Sequence, residues 1–385
     1  MGPLDGITVL ELGGFIAGPY AGQLMGDYGA RVIKIEPPAG DPIRNWGVMR
    51  DDIGLWWPSL GRNKESVRLD LRDPADRAVA AQLCSQVDIV LENFAPGRMA
   101  QWGLDYATIA KENPRLIMVH VSGYGQDGPR ATDRGFGSIA EAMGGLRNLT
   151  GFPDRPPVRT GVSLGDATAG LFAVVGALAA LRERDVSGVG QEVDVALYES
   201  VFALTESLLA DFQLGGVERS RAGSALPGVA PSNVYGTEDG HELLIAANGD
   251  SLFQRLCTAM ARPDLLDDPK YQTHQARGAN AAVLDSIIEE WTSALPVAQL
   301  EKLLDEHGIP RGRIYTPQDI LDDEQYAARE MVVRMPVDGL ADPVPMPGVV
   351  PKFSRTPGAI RHVGARLGEH NDAVIDELGL APQAG

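Results

Sequence analysis

Asp166 lies where a carboxylate could do covalent chemistry. Residues 161–200 begin with the small-residue turn G-V-S-L-G-D-A, continue as a long apolar run of helical character and end in the alternating strand Q-E-V-D-V-A-L. An acid between Gly165 and Ala167, at the start of a helix, can be approached closely by a substrate, and a carboxylate can act as a nucleophile as well as a base. Taken alone, the local sequence favours a second interpretation, in which Asp166 caps the helix.

Ser163 belongs to a competing motif. Residues 161–165 read G-V-S-L-G, which matches the G-x-S-x-G turn of serine hydrolases. That turn follows a buried strand, whereas here R-P-P-V-R-T precedes it, and two adjacent prolines make a poor central strand. No oxyanion segment of the HGGG type is visible, so Ser163 remains a minor alternative nucleophile.

A dinucleotide site is a further alternative, because Glu36 ends the second predicted strand where a ribose-binding acid would lie. The turn before it, however, reads G-G-F-I-A-G rather than G-x-G-x-x-G. The glycines that would approach a pyrophosphate are misplaced, so the sequence argues against nicotinamide binding.

The elements that must position these residues alternate between strand-like and helix-like patterns, which predicts an α/β fold. Residues 7–12 and 31–36 are predicted strands, and a helix from Pro19 to about Tyr28 joins them into a βαβ unit. Further strands are predicted at 66–71, 88–93 and 116–123, and helices at 74–85 and 104–112.

The composition changes at residues 216–231, which are rich in Gly, Ala and Pro and indicate a linker after a first domain of residues 1–215. A second α/β block follows over 232–328, with a predicted strand at 242–247 and helices at 251–261, 280–294 and 297–307. Residues 336–358 carry six prolines and little periodicity, so we expect them to cover a surface. A length of 385 residues also favours two domains, or one domain with an insertion.

The net charge of −18 argues against nucleic acid or an anionic membrane as a partner. An anionic small molecule stays possible if cations gather locally, and solvated surface charge is the alternative. The basic residues of the first hundred positions include Arg31, Lys34, Arg44, Lys64, Arg68, Arg72 and Arg98.

Features that the sequence lacks indicate where the protein is located and whether it binds a metal ion. The longest apolar run, 167–181, is shorter than a membrane span, and the N-terminus carries acids rather than a basic leader. Cys84 and Cys257 are far apart in apolar surroundings, which is typical of buried thiols in a reducing cytoplasm. The six histidines show no ligand-like spacing, so no metal site is expected.

A set of motifs in fixed order extends over the chain. They are L-x-G-I-x-V-L-E-L, A-G-P, L-M-G-D-Y-G-A-R-V-I-K-I-E-x-P-x-G-D-x-x-R, N-K-x-S-V-x-L-D-L, V-L-E-N-F-A-P-G, S-G-Y-G-Q-D-G-P, G-V-S-L-G-D-A-x-A-G and R-L-G-E-H-N. Together they resemble the class III coenzyme A transferases, the CaiB/BaiF family of formyl-CoA transferase and carnitine CoA-transferase type. The resemblance covers essentially the whole chain.

The resemblance implies a fold and a partner state. Such proteins have a Rossmann-like large domain built from both chain ends, a smaller inserted α/β domain and two interlocked subunits. Residues 329–385 would then return to the large domain, and the protein would be an interlocked homodimer. A CoA thioester would be a substrate, with no cofactor bound permanently.

The resemblance also implies a mechanism in which Asp166 is the nucleophile. Its carboxylate would attack the thioester carbonyl of an acyl-CoA, releasing CoA thiolate and forming an aspartyl-acyl anhydride. The thiolate would attack the aspartyl carbonyl to give an aspartyl-CoA thioester, and an acceptor carboxylate would take the CoA through a second anhydride. A helix N-terminus keeps such an acid ionised, glycine N–H groups can bind oxyanions, and water must be excluded.

Positions that match the CoA contacts of this family form a larger set. They are Ile16, Ala17, Leu69, Arg72, Asn93, Phe94 and Tyr124. Phe94 could equally be plain core. Pro37, Gln101 and Ser122 stand where some relatives have basic residues, and Arg98 could compensate for them.

In the second block, Asn248 and Gly249 lie where relatives place a glycine-containing loop over the active site. A simple strand-to-helix turn capped by Asp250 or Ser251 is the alternative. The stretch 135–159 looks most like relatives that use dicarboxylates such as succinate, malate or citramalate, for which Arg147 or Arg159 could bind the second carboxylate. Solvated surface arginines are the alternative for both.

A racemase acting on α-methylacyl-CoA is the leading alternative function within the same superfamily. Those enzymes carry a histidine base in a G-H-D segment before the acid, whereas here the segment reads R-G-F-G-S at 134–138. His120 lies earlier, inside a predicted strand, where a hydrogen-bonded core histidine is expected. The missing histidine therefore favours the transferase over the racemase.

Overall fold

A parallel β-sheet forms the centre of the computed structural model, which describes residues 1–379. The strands up to residue 206 are β1 (Thr8–Leu12), β2 (Arg31–Glu36), β3 (Met49–Arg50), β4 (Ile53–Gly54), β5 (Lys64–Arg68), β6 (Ile89–Glu92), β7 (Ile117–Ser122) and β8 (Glu192–Ala196). Six of them are paired in parallel in the order β5-β2-β1-β6-β7-β8, and β3 and β4 form a separate hairpin. This is the strand order of a Rossmann fold, with the order reversing between β1 and β6.

Helices cover both faces of the sheet. Those up to residue 206 are α1 (Ala17–Asp27), α2 (Trp57–Leu60), α3 (Pro74–Gln86), α4 (Arg98–Gln101), α5 (Tyr106–Ile109), α6 (Gly137–Met143), α7 (Leu146–Leu149), α8 (Leu164–Ser187) and α9 (Leu197–Phe202). Alternate residues of each strand point to opposite faces, so Val9 packs beneath α1 and α8 while Leu10 packs beneath α3. Because both faces of the sheet are buried, the sequences of its central strands are almost continuously apolar.

The chain end contributes to this sheet unit as well. Its elements are α17 (Glu324–Ala328), β12 (Val332–Met335), β13 (Val344–Pro347) and α18 (Asn371–Glu377). Val374 and Ile375 of α18 enter the core on the α3 side of the sheet. The His370 backbone N–H donates to Ser66 O at 3.0 Å, which anchors this helix beside β5.

A second compact unit contains residues 147–159 and 207–323, and the larger unit contains 1–146, 160–206 and the chain from Glu324. The elements of the second unit after residue 206 are α10 (Leu208–Gln213), β9 (Ser232–Gly236), β10 (Glu242–Ala246), α11 (Asp250–Ala259), α12 (Asp264–Asp267), α13 (His274–Ala279), α14 (Ala281–Thr292), α15 (Val297–Glu306), β11 (Arg311–Arg313) and α16 (Pro317–Asp322). Its antiparallel sheet, in the order β11-β10-β9, packs its apolar face on α11, α14 and α15.

The observed unit boundaries differ from the predicted ones. Residues 147–159 and 207–215 belong to the smaller unit rather than to a first domain of 1–215, and 216–231 are part of that unit rather than a linker. Long-range contacts explain the difference: the Gly223 N–H donates to Gly151 O at 2.9 Å, and Arg221 Nε donates to Phe152 O at 3.3 Å. Residues 324–328, predicted to end the second domain, form α17 of the larger unit.

Other expectations about elements need smaller corrections. Within 336–358, β13 pairs with β12, so this stretch is not only a surface covering. The helix predicted at 104–112 is limited to the single turn α5, and the strand predicted at 66–71 begins and ends earlier, as β5.

Buried charges lie beneath the turn that follows β1. Lys34 Nζ is 2.8 Å from Glu11 Oε1 and 2.8 Å from Asp41 Oδ2, and it donates to Gly13 O at 3.1 Å. Lys64 Nζ lies 2.8 Å from the other oxygen of Glu11 and donates to Pro19 O at 2.6 Å. The four charged side chains are fully buried, so each depends on the others for compensation.

These contacts shift the protonation of the buried groups. Burial alone would raise the pKa of Glu11, but Lys34 and Lys64 outweigh it and lower that pKa. Burial likewise opposes the charge on Lys34, yet Glu11, Asp41 and Glu36 raise the Lys34 pKa. Burial lowers the pKa of Lys64, which faces one carboxylate and lies near Lys34. The charged forms of Glu11 and Lys34 are therefore favoured by their mutual contact, whereas burial works against the charge on Lys64.

Three of the basic residues named from the sequence, Lys34, Arg44 and Lys64, are thus committed to ion pairs inside the protein. Arg44 forms a bidentate pair with Glu36, with both N–O distances 2.7 Å, and its guanidinium stacks on Trp57 at 3.7 Å. Arg31 pairs with Glu65 and Glu377. Arg68, Arg72 and Arg98 are exposed, so the set divides between internal ion pairs and surface charge.

We predict that Lys34→Met lowers the free energy of unfolding by about 3–5 kcal/mol, because it leaves Glu11 and Asp41 buried without their shared cation. Urea denaturation followed by tryptophan fluorescence measures this. Lys111→Met, at an exposed lysine of the same unit, is the matched control and should change the value by less than about 0.5 kcal/mol. Equal stability of the two variants would contradict a structural role for the cluster.

Candidate active site

A cavity of about 340 Å³ opens where the strand order of the large sheet reverses. The turn after β1 and the residues after β6 face each other there, and the segment after β5 completes the wall. Its lining includes Gly13, Gly14, Phe15, Pro37, Asp41, Leu69, Arg72, Asn93, Phe94 and Trp102. Such a crevice at the carboxyl ends of parallel strands is where open α/β sheets bind ligands.

Asn93 holds the turn after β1 in place. Its side-chain Oδ1 accepts the Gly14 N–H at 3.0 Å, and its Nδ2 donates to Gly14 O at 2.7 Å. Gly13 adopts a φ of +106°, and a Cβ at that position would lie 1.9 Å from Asn93 Oδ1. The turn therefore requires glycine, and the amide of Asn93 acts first as a clamp on the cavity wall.

Four of the predicted CoA contacts line this cavity: Leu69, Arg72, Asn93 and Phe94. Phe94 is half-buried and packs edge-on against Trp102, with ring centroids 5.0 Å apart, so it belongs both to the wall and to the core. Arg72 is exposed, and its Nε and Nη2 donate to Asp70 Oδ1 and Oδ2, each at 2.8 Å. The hydrogen bonds from Arg72 lower the pKa of Asp70 to about 2.

Two predicted contacts, Ile16 and Ala17, begin α1 directly after the turn. Ala17 is buried against α8, where a Cβ at Gly170 would come within 3.0 Å of Ala17 O. These residues therefore connect the cavity turn to the helix that carries Asp166.

The remaining predicted contacts of this set lie outside the cavity lining. Arg98 stacks over Trp102 at 5.6 Å and donates to Gln101 Oε1 at 3.0 Å. Tyr124 lies beneath Arg130 at 4.8 Å and faces the ring of Tyr198 at 6.1 Å. Of the positions where relatives have bases, Pro37 lines the cavity, whereas the Ser122 hydroxyl accepts the Gly125 N–H at 3.0 Å.

Asp166 is the third residue of α8 and is half-buried. It therefore lies within the first turn rather than at the N-cap, which is Ser163. A Cβ on Gly137 would lie 2.1 Å from Asp166 Oδ2 and 2.6 Å from its Cγ. The absence of a side chain at Gly137 thus leaves the space that the carboxylate occupies.

Glu141 and the glycines around it were not singled out in the sequence. Glu141 is fully buried on α6, and its Oε1 lies 3.5 Å from the backbone N of Gly165. A Cβ at Gly165 would meet Gly137 O at 2.8 Å, so α6 and α8 begin in close contact. The only sequence signal for this contact is that positions 137 and 165 are both glycine. A single sequence does not show that these two glycines lie against each other.

The far end of α8 is anchored in the sheet unit. Buried Arg184 lies 3.0 Å from Asp88 Oδ1 and donates to Arg115 O at 3.2 Å. Gly188 then ends the helix in a left-handed conformation, with a φ of +80°.

The three alternatives considered from the sequence, a serine hydrolase, a racemase and a dinucleotide site, lack their structural requirements. The described backbone over 151–162 contains no strand, so Ser163 is not placed on a strand-to-helix elbow. Phe136 occupies the N-cap of α6, in the segment where a racemase would carry its histidine. Glu36 accepts from Arg44, Ser66 and the Asp41 N–H, which leaves it closed to a ribose.

His120 is a hydrogen-bonded core residue, as expected. Its Nδ1 lies 2.5 Å from Glu92 Oε1 and its Nε2 3.2 Å from Glu192 Oε1. Burial lowers the His120 pKa, but Glu92 and then Glu192 outweigh burial and raise it above the usual value. Glu92 Oε2 also accepts the Phe94 N–H at 2.7 Å, which links this contact to the cavity wall.

In the smaller unit, Asn248 and Gly249 form a strand-to-helix turn, with Gly249 at the N-cap of α11. Neither Asp250 nor Ser251 is the cap. Arg277, almost fully buried, donates through Nη2 to Asn248 O at 2.9 Å and to Asp250 Oδ1 at 2.6 Å. This arginine, for which the sequence carries no local signal, therefore fixes the turn.

Arg147 and Arg159 also belong to the smaller unit. Arg147 is half-buried in α7, and Arg159 is exposed in the irregular segment before α8. In residues 1–379, no group of three or more His, Cys, Asp or Glu side chains could hold a metal ion.

Of the described helices, only α8 is long and apolar enough to cross a membrane by length and composition, and about half of its apolar window is buried in the protein. Both cysteines are buried and unpaired. Burial raises the pKa of the Cys84 thiol to about 12 and that of Cys257 to about 11, so neither is a reactive thiolate.

A Rossmann-ordered sheet with a cavity at its switch point and an acid at a nearby helix start defines an α/β enzyme. The model of CoA-transferase family III matches residues 4–371. Succinyl-CoA–D-citramalate CoA-transferase of Chloroflexus aurantiacus is 50% identical over 382 residues, covering 98% of this chain and 94% of that protein. The alpha subunit of succinyl-CoA–L-malate CoA-transferase of Chloroflexus aurantiacus is 38% identical over 380 residues, covering 98% and 89%.

The crystal structure of a CAIB/BAIF family protein from Brucella suis superposes with a TM-score of 0.85 at 33% identity, covering 98% of this chain and 99% of that one. The chain belongs to CoA-transferase family III and is a CoA-transferase. The resemblance stated from the sequence motifs is thereby confirmed.

We predict that His120 stabilises the fold in a pH-dependent way. Because its folded-state pKa is raised, its contribution is complete below the unfolded pKa of about 6.5 and is lost as pH rises through the higher folded value. The stability difference between wild type and His120→Gln, measured by urea denaturation, should shrink between pH 6 and pH 9. Glu92→Gln should remove the same pH dependence, and a constant difference would refute the assignment.

Proposed function

We propose that Asp166 is the nucleophile that carries first the acyl group and then CoA. The observation that supports this is its place: a half-buried carboxylate in the first turn of a 24-residue helix, with its Oδ2 in the space left by Gly137. The helix N-terminus favours the ionised carboxylate. Gly165 precedes the acid and Gly137 lies beside it, so neither position brings a side chain against the carboxylate.

The reaction then proceeds in two half-reactions. Asp166 attacks the acyl-CoA thioester, the C–S bond breaks and an aspartyl-acyl anhydride forms. CoA thiolate attacks the aspartyl carbonyl, which releases the acyl group as a free acid and leaves an aspartyl-CoA thioester. An acceptor carboxylate attacks that thioester, and the returning thiolate converts the second anhydride into the new acyl-CoA and restored Asp166.

We propose that the switch-point cavity takes part of CoA, with no permanently bound cofactor. Leu69, Phe94 and Trp102 offer apolar walls, and Arg72 can exchange Asp70 for a phosphate. Ile16 and Ala17 would continue the site towards α8. Arg98 and Tyr124 lie outside the cavity lining and are the weaker members of the set.

The nucleophile assignment predicts that Asp166→Ala lowers CoA transfer by roughly 1,000-fold or more. Wild type incubated with an acyl-CoA should yield a CoA adduct on the tryptic peptide that contains Asp166, detected by mass spectrometry. Asp185→Asn, at an exposed acid of the same helix, is the control and should retain both activity and adduct. Transfer by Asp166→Ala at the wild-type rate would refute the mechanism.

For the substrates, we propose succinyl-CoA as donor and a dicarboxylate such as citramalate or malate as acceptor. The names of the two Chloroflexus aurantiacus relatives support this choice. A dicarboxylate needs a cation for its second carboxylate, and the arginines of the segment before α8 can supply it. Arg147 and Arg159 are our candidates, and Asn248 with Gly249 would close over the acyl group.

The acceptor proposal predicts a selective loss of affinity. Arg147→Ala or Arg159→Ala should raise the KM for D-citramalate, L-malate or succinate by about 10- to 100-fold, since a charged hydrogen bond contributes about 1.5–3 kcal/mol. The KM for a monocarboxylate such as propionate, assayed in parallel, should stay unchanged. Equal dicarboxylate KM values in wild type and both variants would eliminate these residues.

We also propose that the protein is an interlocked, cytoplasmic homodimer that uses no nucleic acid or membrane partner. One face of α8 is apolar yet exposed, with Leu171, Phe172, Val175 and Leu178 between 40% and 60% accessible. Because the opposite face is packed on α1 and β7, lipid cannot surround this helix, and a second copy is the fitting cover.

The dimer proposal predicts a solution mass of twice 41.1 kDa by sedimentation. Val175→Asp, which places a charge in the centre of the exposed face, should give monomers. Glu183→Asp, on an exposed position of the same helix, serves as the control. A monomeric wild type would contradict the proposal.

A further inference from the structure

Phe15 is held in a backbone conformation that its side chain disfavours. Its φ is +65°, in the left-handed region where glycine is the usual residue. The Phe15 N–H donates to Asp41 Oδ1 at 3.1 Å, and Asp41 is bound in turn by buried Lys34. Residues kept in such conformations by their surroundings cluster at functional sites.

Phe136 departs from local preference in a second way. It occupies the N-cap of α6, where Ser, Thr, Asp or Asn would bind the first free N–H groups, and the residue is 61% exposed. Phe15 is 39% exposed, and the rings of the two residues meet edge to face with their centroids 6.2 Å apart. At both positions an aromatic residue stands where the backbone conformation favours another residue type, and neither ring is part of the core.

The pair bridges the cavity and the acid. Phe15 lines the switch-point cavity, and Phe136 directly precedes Gly137, where a Cβ would lie 2.1 Å from Asp166 Oδ2. On the other side, Trp46 contacts the Phe15 ring at 5.6 Å and supports it. The two rings therefore connect the wall of the cavity to the segment that lies beside the Asp166 carboxylate.

We infer that Phe15 and Phe136 form an apolar wall that excludes water from the thioester and anhydride carbonyls at Asp166. The wall thereby directs the acyl group to transfer rather than hydrolysis. This inference rests on the proposed function of Asp166 as the nucleophile. The wall suits a pantetheine arm and the reacting end of an acyl group, because both are uncharged and lose little by desolvation.

The reaction that the wall suppresses is chemically simple. Water adds to the acyl carbonyl of the aspartyl-acyl anhydride, and the bond between that carbon and the Asp166 oxygen breaks. The free acid and the Asp166 carboxylate result, and the proton released is taken up by CoA thiolate, which leaves as the thiol. The net change is hydrolysis of acyl-CoA to acid and CoA, with the enzyme restored.

The test uses variants that improve local backbone fit while they remove each ring. Phe15→Gly relieves the positive φ, and Phe136→Ser supplies a helix cap. Both should have a melting temperature at or above that of wild type. With succinyl-CoA, the ratio of thiol release without acceptor to transfer with acceptor should rise about tenfold, equivalent to about 1.4 kcal/mol. Phe15→Tyr, which keeps an aromatic ring at this position, should retain the wild-type ratio.

A control variant distinguishes water exclusion at these two rings from a general effect of removing an exposed phenylalanine. Phe212→Ser, in α10, should leave the ratio unchanged. An unchanged ratio in Phe15→Gly and Phe136→Ser would overturn the inference, as would a loss of activity that follows a lower melting temperature. Conversion of either variant to monomers would overturn it too, by assigning the rings to a subunit contact. Absence of any transfer by wild type would instead refute the proposed function.

Discussion

The ion pairs of Lys34 are the interaction on which the site depends. One ammonium group joins Glu11 on β1, Asp41 after β2 and the carbonyl of Gly13, so it fixes the β1 turn to the neighbouring strand. The turn then shapes the cavity with Asn93 and holds Phe15 through Asp41. Because all these charges are buried, replacing any one of them alone would leave its partners without compensation.

Much of the sheet could be predicted because its strands carry the simplest signal. The apolar runs of β1, β2, β6 and β7 are bounded by Gly, Asp or Asn, and the observed β2 spans the predicted residues 31–36. Elements defined by distant contacts were not predictable in this way. Residues 147–159 pair with 221–223, and β13 carries two prolines that hide its pairing with β12.

The site shows the same division between local and distant information. The start of a helix at Asp166 could be predicted from the turn and the apolar run after it, whereas its contact with Gly137 depends on the meeting of two helices. The basic residues of the first hundred positions illustrate the opposite case. Their number suggested a cation patch, but only the fold shows that Lys34, Lys64 and Arg44 are paired internally.

The anchoring of α8 has a kinetic consequence. Arg184 holds one end of this long helix to Asp88, and the other end contacts α6. Asp166 is therefore held at a fixed position in the larger unit. Under the proposed mechanism, donor and acceptor acids must bring their carbonyls to one point in space, one after the other. An excess of the acceptor acid would then occupy free enzyme in place of the acyl-CoA donor and slow turnover.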